Sequence, residues 1–405
     1  MFLYILLAIL VFGLLIMIHE CGHYIAARIF HVEITEFAIG MGPKVFSKKS
    51  KKTGIRYSIR LLPFGGFVSM RGELDEAEGD GEPENPFAHE AVPHETQITE
   101  PKAPPKPGDE DYVINYGNAL ISRPGWQRLI VHAAGATMNI LLAFVLTLIL
   151  TLWIRVGGTQ IAEFDDPVID ENGNEITSST VLKQNDVILS VNGHKVRISD
   201  QLYYQIMREG YKGEALDLYV LHENGEKEHL FVTFPTMTEQ GTTFGTADFK
   251  VYAVRKNFGT VVKQTFWKST YVVQMIWESL FDVVTGRYSI NAVSGPVGTA
   301  GAITEAARSG GATLLYLTLI ISMNLGIFNL LPIPPLDGSK ILFALLPDES
   351  YQKLMQYERY GMLLLIALAY TGVTGSLVSR ILNRAFDWLL PLASWGANLS
   401  MNWFG

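Results

Sequence analysis

Charge and cysteine are both scarce in this chain of 405 residues. Only 18% of its residues are charged, whereas a soluble globular domain carries about 25%. The single cysteine, Cys21, excludes an intramolecular disulfide framework. The formal net charge of −8 argues against a nucleic-acid-binding protein, which usually presents a basic face. Because apolar residues make up 48% of the chain, these numbers favour a membrane protein with at least one soluble part.

Four long apolar runs predict four membrane-spanning helices. An α-helix crosses the hydrocarbon core of a bilayer with about 20 apolar residues. The runs cover residues 2–18 (extended through a polar interruption to residue 27), 129–154, 313–336 and 361–382. No basic stretch precedes the first run, which favours a retained helix over a cleaved signal peptide. The polar, tryptophan-containing tail 384–405 is expected to lie at the membrane interface.

Basic residues predict the orientation of these helices. Seven lysines and arginines lie between Lys44 and Arg60, directly after the first run, and none precedes it. By the positive-inside rule the N-terminus faces outward and residues 31–128 face the cytoplasm. Residues 155–312 are then extracytoplasmic and residues 340–360 cytoplasmic. The first and third helices are therefore expected to run in the same direction.

The segments between the runs differ in composition. Residues 55–73 combine Tyr, Ile, Phe and Val with a Gly-Gly kink, which indicates short strands near the membrane. Residues 73–111 are acidic and rich in proline and glycine, which indicates a disordered cytoplasmic segment. A calcium site is the alternative there, but the sequence has no EF-hand spacing. Apolar residues recur at helical spacing over residues 255–288. This segment is expected to form either a helix on the membrane surface or a core helix of the soluble domain.

Residues 158–236 are the clearest soluble domain. Alternating apolar residues flank the turns Asn192-Gly193 and Asn224-Gly225, with a helix predicted over 199–209 between them. This order of elements resembles a bacterial PDZ domain, which binds peptides by adding a strand at a sheet edge. Asn185-Asp186 departs from the usual pattern, in which Gly-Asp stands there. A small β-rich spacer domain is the alternative interpretation.

The strongest motif is His19-Glu20-Cys21-Gly22-His23, at the end of the first apolar run. Positions i and i+4 share a helix face, so both imidazoles can reach one metal ion. Zinc held by two histidines and one carboxylate keeps a fourth position for water, whose pKa falls to about 7. The Glu20 carboxylate is the candidate general base. Ionisable residues within a membrane are functional by default, and the alternative is an interfacial anchor outside the bilayer.

A third metal ligand is required, and Asp337 in NLLPIPPLDG (329–338) is the candidate. The histidine pair and Asp337 both lie at predicted cytoplasmic ends of parallel helices, so they share one depth in the membrane. The prolines at 332, 334 and 335 break the helix, and irregular backbone at membrane depth is tolerated where it lines a wet cavity. The alternative role of Asp337 is that of a turn or N-cap residue.

With these residues identified, the sequence closely resembles the site-2 protease family of intramembrane zinc metalloproteases. The match is to the bacterial, PDZ-containing branch, the regulator-of-sigma-E-protease type of peptidase family M50, and it covers nearly the whole chain. The motif H-E-x-x-H is residues 19–23, and N-x-x-P-x-P-x-L-D-G is residues 329–338 with every position kept. Gly135 and Asn139 fit the family's G-x-x-x-N, although Ala136 stands where proline is more usual. The segments 37–46 and 59–70 resemble its membrane-associated β region, and 294–298 resembles a further element.

The resemblance implies a polytopic α-helical membrane protein with about four spanning helices, a cytoplasmic-side β region and one extracytoplasmic PDZ domain of α+β class. It implies one Zn²⁺ per chain, bound by His19, His23 and Asp337, with Glu20 as general base. The implied substrate-binding residues are Asn329, Pro332, Pro334, Asn139, Gly65, Gly66, Phe67 and Val68. The expected order is 1–30 (first span), 31–72 (β region), 73–112 (acidic segment), 113–155 (lead-in and second span), 156–236 (PDZ), 237–312 (linker with amphipathic helices), 313–338 (third span), 339–360 (cytoplasmic loop), 361–383 (fourth span) and 384–405 (interfacial tail).

The expected activity is endopeptidase cleavage within transmembrane segments of single-pass proteins, such as anti-sigma factors or remnant signal peptides, in the bacterial cell membrane. The expected partners are these substrates, the lipid bilayer and a peptide or ectodomain at the PDZ domain, with no nucleic acid. Two alternatives remain open at this point. One is a non-catalytic membrane scaffold that uses the PDZ domain, and the other is a membrane-anchored zinc peptidase that cleaves soluble peptides.

Overall fold

The computed structural model describes residues 2–71, 119–169, 175–239, 242–284, 296–334, 336–347, 350–351 and 354. The predicted acidic segment 73–112, the fourth span 361–383 and the tail 384–405 lie outside the described residues. The helices are α1 Phe2–Ile29, α2 Gly125–Trp153, α3 Ser199–Glu209, α4 Phe258–Val284, α5 Pro296–Ser309, α6 Gly311–Asn329 and α7 Asp337–Ala344. The strands are β1 Ile34–Lys49, β2 Arg56–Met70, β3 Gly157–Phe164, β4 Val168–Ile169, β5 Glu175–Ile176, β6 Val187–Val191, β7 His194–Lys195, β8 Leu216–Leu221, β9 Lys227–Val232, β10 Thr236–Glu239, β11 Thr242–Gly245 and β12 Phe249–Ala253.

Three of the described helices are long and apolar enough to cross a membrane. They contain the candidate spans Leu6–Ile29, Gly125–Trp153 and Gly311–Asn329, whose mean hydropathies are 1.9, 2.2 and 1.7. Each overlaps one of the first three predicted runs, and the third ends at Asn329 rather than at residue 336. The chain divides into two compact units, residues 1–141 with 321–374 and residues 142–320 with 375–405. Helices α2 and α6 contribute residues to both units.

In the first unit, glycines fold the two long strands into a sheet of four segments. Positive φ angles at Gly40 (88°), Gly42 (84°) and Gly65 (83°) lie in the left-handed region that favours glycine. Residues 34–39 pair with 66–70 on one side and with 56–59 on the other, and 44–49 pair with 56–60. The segment order is therefore 66–70, 34–39, 56–60, 44–49, which leaves 66–70 at an edge of the sheet. The predicted kink at Gly65-Gly66 is where β2 changes from one segment to the other.

In the second unit, an antiparallel sheet in the order β12-β3-β6-β8-β9, with β7 paired to β6, packs against α3. Its core includes Ile161, Ile188, Leu202, Leu218 and Phe249, each at most 2% exposed. The two predicted turns are present: β6 turns into β7 through residues 192–193, and β8 into β9 around residue 225, with positive φ at each of these three residues.

The sheet of the second unit continues beyond the domain end predicted at residue 236. After the hairpin β10–β11, strand β12 returns to pair with β3, with Phe249 opposite Phe164 and Ala253 opposite Gly157. The predicted boundary was too early because β12 is joined by long-range pairing rather than by a local turn. The sheet therefore extends to Ala253.

Helix α4 packs against α3 with one face and exposes an apolar stripe on the other. Arg208 in α3 makes a bidentate contact with Asp282 in α4, at 2.9 Å through both Nε and Nη2. Lys268 of α4 lies 3.1 Å from Asp200, and Arg197 stacks over the Trp267 ring at 4.0 Å. The exposed stripe is formed by Phe258, Val262, Phe266, Val273, Trp277 and Phe281. One face of this helix is thus packed on α3 and the other is apolar and exposed, and its location at a membrane surface stays a prediction.

Candidate metal centre

Helix α1 presents the two histidines of the sequence motif on one face. His19 and His23 are 8% and 6% exposed, and their Nε2 atoms lie 3.2 Å apart. The residues of α1 before His19 are uncharged and mostly apolar, so the two imidazoles and Glu20 are polar groups inside the candidate membrane span Leu6–Ile29. The i, i+4 spacing places them one turn apart, as predicted.

Asp337 reaches the histidine pair from the first turn of α7. Its Oδ2 lies 2.9 Å from His19 Nε2 and 3.3 Å from His23 Nε2. Helix α6 ends at Asn329, and a series of backbone turns leads through Ile333 and Leu336 to Asp337. Gly338 is required by this tight path, because a Cβ there would lie 2.0 Å from the carbonyl oxygen of Leu331. The sequence L-D-G thus turns the carboxylate back toward α1.

The three ligand atoms have the spacing of three corners of a metal tetrahedron. Their separations are 2.9, 3.2 and 3.3 Å. Tetrahedral zinc with bonds of about 2.1 Å to nitrogen and oxygen has ligand atoms about 3.4 Å apart. Two imidazole nitrogens and one carboxylate oxygen are also a donor set that zinc uses in catalytic sites. The residues present therefore fit a zinc ion, and a fourth position is left for water or substrate.

The ring of His23 is oriented by helix α2. Its Nδ1 lies 2.8 Å from the backbone carbonyl oxygen of Val131, which can only accept a hydrogen bond. Nδ1 therefore carries the proton and Nε2 has the lone pair that a metal needs. On the same helix, the side chain of Asn139 lies 3.4 Å from His19 Nδ1. Both ligand rings are thus contacted by α2 on the side away from the metal position.

Two glycines provide the space for these contacts. A Cβ at Gly135 would lie 2.3 Å from His23 Nε2 and 2.8 Å from His19 Nε2. A Cβ at Gly22 would lie 2.3 Å from the carbonyl oxygen of Ala134, so this glycine lets α1 and α2 approach closely. Since real Cβ atoms do not come within 3.0 Å of such groups, neither position can carry a side chain in this arrangement.

The edge segment of the β1–β2 sheet lies beside Glu20. A Cβ at Gly66 would be 3.3 Å from Glu20 Cγ and 2.9 Å from the carbonyl oxygen of Ala38. Phe67 and Val68 continue this edge and pair with Ala38 and Phe37. Three predicted substrate-binding residues, Gly66, Phe67 and Val68, therefore lie in the edge segment that begins next to the candidate general base, and the fourth, Gly65, directly precedes it.

The remaining predicted residues lie in the chain that connects α6 to α7. The Asn329 side chain donates through Nδ2 to the carbonyl oxygen of Leu325, 2.8 Å away in its own helix. Pro332 and Pro334 fall in the turns that precede Asp337. The Val131 carbonyl and the spatial role of Gly22 were missed by the sequence reasoning. A backbone carbonyl has no sequence signal, whereas a glycine inside H-E-x-x-H could have indicated a helix contact.

Comparison with known proteins agrees with this geometry. The family model for peptidase family M50 matches residues 7–369. The zinc metalloprotease RasP of Bacillus licheniformis is 30% identical over 410 residues, which cover 89% of this chain and 94% of the relative. That of Geobacillus kaustophilus is 29% identical over 416 residues, with coverages of 90% and 95%. The regulator of sigma-W protease RasP of Bacillus subtilis is 29% identical over 409 residues, with coverages of 89% and 94%.

The family match spans most of the chain and includes both segments that form the ligand triangle. The metal of this family is zinc, and the relatives from Bacillus licheniformis and Geobacillus kaustophilus are named zinc metalloproteases. This chain therefore belongs to peptidase family M50 and is a membrane zinc metalloprotease of the site-2 protease type.

Proposed function

We propose that this protein cleaves peptide bonds inside the transmembrane segments of single-pass membrane proteins that have already been shortened outside the membrane. The observation that carries the proposal is the convergence of His19, His23 and Asp337 next to Glu20, with the two histidines inside a candidate membrane span. A site built into membrane helices is suited to substrates that lie in the bilayer.

The roles of the site residues follow from their chemistry. His19, His23 and Asp337 would hold the zinc ion, which when bound acidifies water and polarises the scissile carbonyl. Glu20 would take the proton of the attacking water and later deliver it to the leaving amine nitrogen. The buried positions of the two histidines keep bulk water away from the ligands.

Substrate presentation is assigned to the sheet edge and the proline-containing turns. A helical peptide bond is shielded by its own hydrogen bonds, so a transmembrane substrate must become extended before water can attack it. The segment 66–70 pairs on one side with 34–39, and its other edge would accept the substrate as an added strand. Because this segment begins beside Glu20, a strand added there would pass close to the general base. Asn329, Pro332 and Pro334 would hold the unwound backbone.

The second unit would carry the extracytoplasmic ligand site. Its sheet, helix α3 and turns support a PDZ domain, with a peptide or a shortened ectodomain as ligand. In this proposal the N-terminus and the PDZ domain are extracytoplasmic, and the metal centre lies near the cytoplasmic face of the bacterial cell membrane. Anti-sigma factors are the favoured substrate class, because the Bacillus subtilis relative is named as a regulator of sigma-W protease. Remnant signal peptides are the second class.

The test compares cleavage of a single-pass model substrate by the purified protein and by Glu20→Gln, with bound zinc measured in both. We expect the variant to lose cleavage and to keep about one zinc per chain, because Glu20 is not a ligand. The matched control is Glu33→Gln, a half-exposed carboxylate paired with Arg71, which should leave both quantities unchanged.

Casein serves as the soluble substrate in the same assay. Cleavage of casein but not of the transmembrane peptide would favour a peptidase acting on soluble peptides. Undiminished cleavage by Glu20→Gln would remove the proposed role of that residue. A wild-type protein that binds no zinc and cleaves neither substrate would favour the scaffold alternative.

A further inference from the structure

We propose that Asn139 is a positioning residue whose side-chain oxygen accepts the Nδ1 proton of His19 and holds the His19 ring with Nε2 toward the metal. This inference rests on the proposed zinc site formed by His19, His23 and Asp337. It differs from the substrate-binding role that the family resemblance implies for Asn139.

His23 shows what such an interaction does in this site. Its Nδ1 donates to the carbonyl oxygen of Val131 at 2.8 Å, which fixes both the tautomer and the rotation of the ring. A histidine that binds zinc through Nε2 carries its proton on Nδ1 and usually donates it to a neighbouring acceptor. His19 needs the same kind of partner, because its Nε2 faces Asp337 and His23.

Asn139 is the neighbour that can provide this partner. Its side chain lies 3.4 Å from His19 Nδ1, and the residue is only 1% exposed. The amide of Asn139 offers either a donor or an acceptor at nearly the same position, according to its rotation. With Nδ2 toward the ring, two N–H donors would face each other once Nδ1 carries the proton. With the amide turned by half a rotation, the oxygen faces the ring and accepts that proton.

An unpartnered atom supports the turned orientation. The Oδ1 of Asn139 is buried and has no hydrogen-bond partner among the described residues. A buried acceptor without a partner costs about 1–3 kcal/mol. Accepting from His19 Nδ1 gives this oxygen a partner and gives the His19 proton an acceptor. One rotation of the amide thus gives a partner to Oδ1 and to the Nδ1 proton, and Nδ2 then takes the position that Oδ1 leaves.

The backbone of Asn139 has a hydrogen bond that does not involve its side chain. The buried Ser322 in α6 donates its hydroxyl to the backbone carbonyl oxygen of Asn139 at 2.8 Å. One turn earlier in α2, Gly135 leaves the room in which both imidazoles lie. Helix α2 therefore carries the acceptors for both ligand rings, Val131 for His23 and Asn139 for His19.

The test measures zinc affinity directly, by competition with a chelator, in the purified full-length protein and three variants. Asn139→Leu removes the acceptor at similar volume, and we expect zinc binding about 10- to 100-fold weaker. Asn139→Asp keeps an oxygen toward the ring and should bind zinc as tightly as the wild type. Ser322→Ala is the matched control, because it removes a buried hydrogen bond to the Asn139 backbone and leaves the side chain intact.

Absorption of the Co²⁺-substituted protein adds a second readout, since ligand-field bands report ligand geometry rather than stability. We expect altered bands in Asn139→Leu and wild-type bands in Asn139→Asp and Ser322→Ala. Asn139→Ala repeats the comparison with a smaller side chain if the leucine variant does not fold, and the same weakening is expected.

Unchanged zinc affinity and unchanged Co²⁺ bands in both Asn139→Leu and Asn139→Ala would overturn this inference. If these two variants also had a raised KM for the substrate, Asn139 would be assigned to substrate binding. Equal weakening in Ser322→Ala would also overturn it, because helix packing would then explain the effect. A wild-type protein without measurable zinc binding would contradict the proposed function itself. Failure of the proposed function is thereby distinguished from failure of the role assigned to Asn139.

Discussion

Gly135 shows how a residue without a side chain determines the chemistry of this site. An added methyl group at this position would be 2.3 Å from His23 Nε2 and 2.8 Å from His19 Nε2. We predict that Gly135→Ala weakens zinc binding by at least about 10- to 100-fold, which is the typical effect of removing a residue that hydrogen-bonds a metal ligand. The reason is that one imidazole or helix α2 must move to admit the methyl group. Chelator competition on the purified protein measures the change.

Gly301→Ala is the control for this substitution. Gly301 lies inside helix α5, and a Cβ there would meet no atom within 4 Å. The same replacement should leave zinc affinity unchanged and stabilise the helix by about 0.5–1 kcal/mol. If Gly135→Ala bound zinc as tightly as Gly301→Ala, the close approach of Gly135 to the rings would have no functional consequence.

At the residue scale, the convergence of the three candidate ligands was predictable and the orientation of their rings was not. His19 and His23 follow from helical spacing, and Asp337 follows from charge-based topology and a proline-broken helix. The structure places these three side chains together. The acceptor for His23 is a backbone carbonyl, at Val131, which any residue could supply. Side-chain patterns therefore predict which atoms converge, whereas backbone contacts determine how each ring is turned.

At the scale of elements, buried charges join helix α3 to helix α4. The Arg208 and Asp282 side chains are 10% and 3% exposed, and they meet through two hydrogen bonds of 2.9 Å. Glu278 adds a contact of 3.5 Å to the same guanidinium. Burial opposes the charge on Arg208, but these carboxylates more than offset it and raise the pKa of the guanidinium. The charge on Arg208 is therefore retained at every physiological pH.

We predict that Arg208→Met destabilises the packing of α3 on α4 by about 3–5 kcal/mol, because it breaks a buried ion pair. Hydrogen exchange of the backbone amides in α3 and β6 measures this change in the full-length protein. The control is Lys250→Met, which removes an ion pair with Glu163 whose side chains are 63% and 62% exposed. That variant should exchange like the wild type. Equal exchange in Arg208→Met would contradict the prediction.

The elements of the second unit were predicted unevenly, for a physical reason. Turns at Asn192-Gly193 and Asn224-Gly225 are local features and were found from the sequence. Strand β12 was missed because its partner β3 lies far back in the chain, and only Phe249 in it is fully buried. A strand with one buried residue shows no clear alternation of buried and exposed positions. Its membership in the sheet depends on tertiary pairing, which local patterns do not contain.

At the scale of the whole molecule, orientation in the membrane is the prediction that rests on sequence alone. Three apolar helices match predicted spans, and the charge distribution predicts which ends face the cytoplasm. Lys51 lies in the turn between β1 and β2, and Glu226 lies in the turn between β8 and β9. Both residues are exposed. The predicted topology places the first inside the cell and the second outside.

Labelling of intact cells with a membrane-impermeant maleimide tests this orientation. In a Cys21→Ser background, which removes the only cysteine of the chain, we expect Glu226→Cys to react and Lys51→Cys to stay unlabelled until the cells are opened. Lys51→Cys in opened cells is the control for reactivity. Labelling of Lys51→Cys in intact cells, with Glu226→Cys protected, would reverse the assigned topology.

The close approach of α1 and α2 at Gly22 also bears on how such proteins are recognised in genomes. The two middle letters of H-E-x-x-H are usually treated as free, but here the second must be glycine, because any Cβ would collide with the Ala134 carbonyl. Glycine makes up about 7% of residues, so a search for H-E-x-G-H returns about fourteen times fewer chance matches than the unrestricted pattern. The glycine in this motif thus indicates that helices α1 and α2 pack closely at that position.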